Sequence, residues 1–118
     1  MPYFDGSTGR VYYRHWAIPA PRAAVVFLHG FGEHSGLYHR YAAELGAHDI
    51  DLWALDEIGH GLTEGDRGEF GSFDALVANA NTLVALAQVK TPGVPIVLGG
   101  HSLGSMATDT VVIDVRRR

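Results

Sequence analysis

The stretch that decides the fold is "VLGGHSLGSM", Val97–Met106. Within it, Ser102 stands between Gly100 and Gly104. This Gly-x-Ser-x-Gly pattern is typical of a serine nucleophile on a strained turn from a strand into a helix. The residues two before and two after the serine come close together on such a turn, so side chains at either glycine would clash. We therefore predict that the serine hydroxyl is raised above the sheet edge, at a helix N-terminus.

The segments upstream of this turn alternate between strand-like and helix-like patterns. "AAVVFLHG", "IDLWALD" and "PIVLGG" are short apolar runs, typical of strands covered on both faces. Before them, "PYF" and "RVYYRHW" flank the turn "DGSTG" and predict a hairpin. The order predicts an α/β fold, a mostly parallel doubly wound sheet with an N-terminal antiparallel hairpin.

Two segments between the buried strands have helical periodicity. The first begins near Leu37, and we predict Ser35 as its N-cap and Gly46 as its C-terminal stop. For the second, Ser72 is the predicted N-cap and Asp74 lies in the first turn, where a negative charge stabilises the helix dipole. Its predicted apolar stripe is Phe73, Leu76, Val77, Ala80, Val84 and Ala87.

Composition limits the possible functions. The chain has 118 residues, 47% hydrophobic and 19% charged, which fits one globular domain. Its net charge is −4 and its only basic cluster is terminal, which argues against a nucleic-acid partner. The absence of cysteine excludes disulfides and thiolate chemistry, and it is compatible with a reducing compartment, so we predict a cytoplasmic protein. We also expect neither a signal peptide nor a membrane-spanning helix.

The loop "HGFGEH" after the first buried strand is expected to lie beside the serine turn. Loops that follow neighbouring parallel strands gather at the carboxyl edge of the sheet, where ligands bind. We predict that the backbone N–H groups of Phe31 and Leu103 form an oxyanion hole. His29 and Gly30 are predicted to shape the loop rather than to act chemically.

Other polar residues are predicted to be structural. Asp56 and His60 resemble a catalytic pair, but their loop precedes the serine, so we interpret them as residues that organise the loop. The spacing of His29, His34 and His39 matches no usual zinc pattern, and we predict no metal site.

Three motifs together resemble one branch of the α/β-hydrolases. "HGFGEHSGLYHRYAAEL", "DEIGHGLTEGDRG" and "PGVPIVLGGHSLGSM" are similar to the monoacylglycerol lipase and lysophospholipase branch, which is also called serine aminopeptidase S33 or hydrolase-4. The resemblance runs from about Tyr3 to Ala107. It implies Ser102 as the nucleophile and the Phe31 and Leu103 amides as the oxyanion hole. It also implies hydrolysis of monoacylglycerols or other long-chain esters through an acyl-enzyme, without a cofactor.

The sequence departs from that family after the serine turn. Family members are about twice as long, and no histidine follows Ser102 to act as the base. We predict a partial α/β-hydrolase domain over residues 1–107, its N-terminal half, and a tail over residues 108–118 that is not family-like. A truncated chain that lacks its triad acid and base is expected to be inactive by itself.

A non-catalytic alternative stays open beside this reading. The chain could be a pseudoenzyme or an interaction module derived from the same fold. "PIVLGG" would then be an exposed sheet edge that allows self-association, unless "TVVIDV" pairs with it. The predicted partners are a lipid or other ester substrate, peripheral contact with a membrane, and a second copy of the chain.

Overall fold

A computed structural model describes residues 2–6, 9–29, 35–56, 62–63 and 73–100 of the chain. The strands are β1 (Tyr3–Gly6), β2 (Gly9–Trp16), β3 (Ala23–Leu28), β4 (Ile50–Leu55) and β5 (Ile96–Gly100). The helices are α1 (His39–Ala47), which follows a 3-10 turn at Ser35–Tyr38, and α2 (Phe73–Lys90). The predicted succession of a hairpin followed by alternating strands and helices is confirmed.

The five strands form one sheet in the order β1-β2-β4-β3-β5. β1 pairs with β2, and β2 with β4, in antiparallel fashion. β3 pairs in parallel with β4 on one side and with β5 on the other. The sheet is therefore mixed: β4, β3 and β5 form the predicted parallel part, and the predicted antiparallel hairpin of β1 and β2 joins it along β4. This arrangement puts β3 between two strands that come later in the chain.

Side chains on the central strands alternate between two cores because successive residues of a strand point to opposite faces. Val26 and Trp53 lie in the core on the α2 face of the sheet. Val25 and Leu52 lie in the smaller core on the α1 face, where they pack with Ala42. β3 and β4 are therefore covered on both faces, as their continuous apolar runs predict.

The ends of α1 differ from the prediction. Ser35 is not its N-cap: the residue in that position is Tyr38, which makes no side-chain capping bond, because a 3-10 turn precedes the helix. The helix also continues through Gly46 to Ala47. The left-handed residue that follows is Asp49, with φ of 62°, a conformation that Asp adopts more readily than most side chains.

Helix α2 follows its predicted pattern. Asp74 lies in its first turn as predicted, whereas Ser72 and the side chain of Phe73 lie outside the described residues. The rest of the stripe packs into the α2 core, joined by the buried Leu83. These stripe residues are Leu76, Val77, Ala80, Val84 and Ala87. Within the described ranges, no helix has the length and apolar character that crossing a membrane requires.

Candidate functional site

The parallel strands end side by side at one edge of the sheet. Leu28 is paired with Leu55 of β4 and with Gly100 of β5, so these three strands stop at the same level. Two of the three motifs begin directly after β3 and β4, and the third contains β5. Because ligands of parallel α/β sheets bind beyond the carboxyl ends of the strands, this carboxyl edge is the candidate site.

Two of the predicted site residues belong to the described part of the chain. His29 is fully buried directly after β3, and Gly100 is the partly exposed last residue of β5. The roles assigned to them in the loop and the turn stay predictions. The other predicted site residues, which lie outside the described residues, are Gly30, Phe31, Ser102, Leu103 and Gly104.

A second glycine near the end of β5, Gly99, packs closely against an aromatic ring. A Cβ added to Gly99 would lie 3.1 Å from Cδ2 of Phe27. The Phe27 ring in turn lies with its centroid 4.7 Å from that of Tyr38 and 5.6 Å from that of Tyr41. A side chain at residue 99 would therefore displace the Phe27 ring by a few tenths of an ångström, and the sequence pattern around Gly100 did not reveal this close contact.

Asp56, the first residue after β4, has both carboxylate oxygens engaged. Its Oδ1 accepts hydrogen bonds from the backbone N–H and from the hydroxyl of Ser35, both at 2.6 Å. Its Oδ2 accepts one from the backbone N–H of Leu62 at 2.9 Å. The side chain is fully buried, and these three donors offset the cost of removing it from water. The prediction that Asp56 organises its loop is confirmed, whereas His60 lies outside the described residues.

The backbone of Asp56 is anchored to β2 through Thr63. The Thr63 hydroxyl donates to the Asp56 carbonyl oxygen at 2.6 Å and accepts from the Tyr12 N–H at 3.0 Å. The Asp56 N–H donates to the Tyr12 carbonyl oxygen at 2.9 Å. Thr63 was not among the predicted residues. The sequence shows only a polar residue after the glycines of "IGHGLT", which does not predict a bond to β2.

Arg14 of β2 completes the set of bonds around Ser35. Its Nε–H donates to Ser35 Oγ at 3.1 Å, so the hydroxyl accepts from Arg14 while it donates to Asp56. The Arg14 guanidinium also lies 5.0 Å from the centre of the Tyr12 ring. These bonds form one hydrogen-bond network, the Asp56 network, which joins Arg14, Ser35, Asp56 and the N–H of Leu62.

A second histidine–aspartate pair lies at the opposite end of β4. His15 Nε2 is 2.6 Å from Asp51 Oδ2, and the His15 ring stacks on Trp53 at a centroid distance of 3.6 Å. Asp51 is the second residue of β4, whose last residue is Leu55. At roughly 3.3 Å per residue, Asp51 lies about 15 Å from the carboxyl edge. This pair is therefore too distant to act on a group held at the candidate site.

The described residues also form a crevice away from the carboxyl edge. This open crevice lies between the end of α2 and the start of β5. It is lined by Gln88, Thr91, Pro92, Gly93, Val94 and Ile96. In the same described ranges, no three His, Asp or Glu side chains come together as a metal site would require.

The strand order and the edge at which the polar network lies define the chain as an α/β-hydrolase fold. The solved structure of a thermostable carboxyl esterase from Bacillus coagulans, in complex with glycerol, superposes with a TM-score of 0.82 at 28% identity. The match covers 93% of this chain and 38% of that one.

The family follows from sequence comparison. The family model described as serine aminopeptidase, S33 (hydrolase-4) matches residues 19–118, so the chain belongs to this family. A monoacylglycerol lipase of Mycolicibacterium smegmatis is 38% identical over 86% of this chain, and the human monoglyceride lipase is 35% identical over 88% of it. The chain spans 37% and 35% of the lengths of these two relatives, about a third of each.

Proposed function

We propose that this chain provides the nucleophile and the oxyanion hole of a serine ester hydrolase that acts on monoacylglycerols or similar long-chain esters. The observation that carries the proposal is the pairing of Leu28 with Gly100. Adjacent strands lie about 4.8 Å apart, so the segments bearing Phe31 and Ser102 leave the sheet as neighbours. The similarity to lipases from Mycolicibacterium smegmatis and human supports the substrate class.

The proposed reaction begins when the hydroxyl oxygen of Ser102 attacks the ester carbonyl carbon and loses its proton to a histidine base. The N–H groups of Phe31 and Leu103 donate to the oxyanion that develops. The alcohol then leaves with that proton, and water attacks the acyl-enzyme to release the fatty acid. No residue among these 118 is assigned as the base or the acid, so we expect little turnover by this chain alone.

We propose a domain division and a set of partners together with this function. Residues 1–107 form the hydrolase part and residues 108–118 a separate tail, while the chain works in the cytoplasm and contacts membranes peripherally to reach lipid esters. The family match extends to residue 118, and the division at residue 107 stays a prediction.

A non-catalytic role in self-association is the second candidate. Among the described strands, β5 pairs with β3 alone, and Val97 on β5 is 53% exposed. An apolar strand with an open edge can add a strand from a second copy of the chain. This role predicts a dimer in sedimentation velocity and no special reactivity of Ser102.

Labelling with a fluorophosphonate distinguishes the two candidates, because the probe reports a serine beside an oxyanion hole and needs no turnover. Since no base is assigned in this chain, we expect phosphonylation of Ser102 to be slow but faster than that of the other serines, as identified by mass spectrometry of the labelled peptide. A long-chain monoacylglycerol should slow the labelling by occupying the site. Ser102→Ala should abolish it, while the matched variant Ser7→Ala, in the segment between β1 and β2, should label as the parent chain does.

Two results would reject the hydrolase proposal. One is labelling that persists in Ser102→Ala. The other is a chain that gives a folded circular-dichroism spectrum and yet is not labelled. The second result, together with a dimer in sedimentation, would favour the self-association role.

A further inference from the structure

We infer that Asp56 is a positioning residue for the oxyanion-hole loop, in addition to its role in its own loop. This inference rests on the proposed function, because it concerns the segment that bears Phe31. Asp56 does not contact substrate in this proposal. It acts by fixing Ser35, the residue that directly follows that segment.

Both ends of the segment are fixed by buried residues. At its beginning, His29 is fully buried directly after β3. At its end, Ser35 is also fully buried and makes both of its donor bonds to the same oxygen of Asp56. Only residues 30–34 separate these two points, so a shift of Ser35 must be taken up within five residues. An oxyanion hole tolerates little displacement, since a misplacement of about 1 Å can cost 100-fold in rate.

The other carboxylate oxygen connects a second loop to the same point. Leu62 N–H donates to Asp56 Oδ2 at 2.9 Å, while the Leu62 side chain is 45% exposed. One buried carboxylate thus joins the chain after β3 to the chain after β4. Ser35 and Leu62, which follow β3 and β4 in the chain, are therefore bonded to the same carboxylate.

Arg14 determines the direction in which the Ser35 hydroxyl donates its proton. Because Ser35 Oγ accepts from the Arg14 Nε–H, its single proton is directed to Asp56, and the Ser35 N–H points to the same oxygen. Bonds in such a series strengthen one another where water is excluded. The network therefore fixes the orientation of the Ser35 backbone as well as its distance from β4.

The test compares variants of the full 118-residue chain in fluorophosphonate labelling at Ser102. Asp56→Asn keeps one acceptor oxygen and loses the other, and Ser35→Ala removes the hydroxyl but keeps the N–H. In both variants we expect the maximal labelling rate, kinact, to fall roughly 10- to 100-fold, because removal of an oxyanion-hole donor costs 100-fold or more. The concentration for half-maximal rate, KI, should stay within about two-fold of the parent value, since ground-state binding is unchanged.

Thr91→Val is the matched control. The Thr91 hydroxyl makes a hydrogen bond of 2.6 Å to the Ala87 carbonyl oxygen, equally short and also buried, but beside the crevice at the far end of β5. If Asp56 contributes to stability alone, Thr91→Val and Asp56→Asn should each lose labelling in proportion to the fraction of the variant that is unfolded. The positioning role predicts loss of kinact in fully folded Asp56→Asn and none in the control.

Amide hydrogen exchange keeps the inference testable even if a variant folds poorly. The Ser35 and Leu62 amides should be protected in the parent chain and should exchange at least ten-fold faster in Asp56→Asn. Unprotected Ser35 in the parent chain would overturn the inference, as would parent-like kinact in both variants. A folded parent chain that is not labelled at Ser102 would instead overturn the proposed function, and this inference with it.

Discussion

A buried aspartate lies at each end of β4, Asp51 within the strand and Asp56 directly after it, and the two are held in different ways. Asp56 is 0% exposed and accepts three hydrogen bonds, two of them from backbone N–H groups of other segments. Asp51 is 1% exposed, and among the described residues its side chain bonds to His15 through Oδ2 while its Oδ1 has no hydrogen-bond partner. Aspartate is thus found in two different polar environments, one at each end of β4.

The difference shows what each end of the sheet requires. At the carboxyl edge three strands end at the same level, and a carboxylate that accepts backbone N–H groups holds residues that follow two of them, Ser35 after β3 and Leu62 after β4. At the opposite end, β2 and β4 are held by their antiparallel pairing and by the stack of His15 on Trp53. The polar bond between His15 and Asp51 adds to these contacts.

The largest effect is expected from Asp56→Ala. This substitution leaves the buried N–H of Ser35 and that of Leu62 without their acceptor, at about 1–3 kcal/mol each. We expect the free energy of unfolding to fall by about 3 kcal/mol, as measured by urea denaturation at neutral pH. Asp51→Ala is the matched comparison, and equal losses at the two positions would contradict the contrast between the two ends.

An intermediate effect is expected from His15→Phe. The new ring can keep the stack on Trp53, but the Asp51 carboxyl loses its one hydrogen-bond partner while still buried. We expect a loss of about 2 kcal/mol in the same denaturation experiment.

The double variant His15→Phe/Asp51→Ala is the check on this explanation. Removing the isolated carboxyl should recover at least half of the loss, because no unpaired polar group is then left buried. If the losses of the two single variants simply add, the hydrogen bond between these side chains is not the cause.

The smallest effect is expected from Asp51→Ala in the parent chain. The carboxyl has one oxygen without a partner, so its removal relieves a desolvation cost while it breaks one bond. The His15 side chain is 22% exposed and can donate to water instead. We expect a loss of about 1 kcal/mol or less, and a loss near that of Asp56→Ala would show that Asp51 stabilises the fold through contacts beyond this bond.

The order of elements could be predicted from sequence because each element has a local signature. Apolar runs of strand length predicted β3, β4 and β5, and a three- and four-residue spacing predicted α2. Local reasoning also identified Asp56, since a polar residue at the end of a buried strand must find partners in the loops. It failed for Ser35, whose position before an amphipathic segment is typical of an N-cap.

The remainder of the candidate site depends on contacts that no local pattern contains. Ser35 and Asp56 lie 21 residues apart, and Tyr12 and Thr63 lie 51 apart. A serine becomes an N-cap or a partner of a distant carboxylate according to how the sheet brings the loops together. The 3-10 turn at Ser35–Tyr38 is the local structure that accompanies the bond to Asp56.

The central place of β3 has a consequence for the order in which the chain is made. Ala23–Leu28 leaves the ribosome before either of its neighbours, and the second of them begins only at Ile96. At roughly 5–20 residues per second, translation needs several seconds to supply that partner. Until β5 is made, at least one edge of this apolar strand is unpaired in the nascent chain. We therefore expect chaperones to bind this segment and early termination to yield an aggregating product.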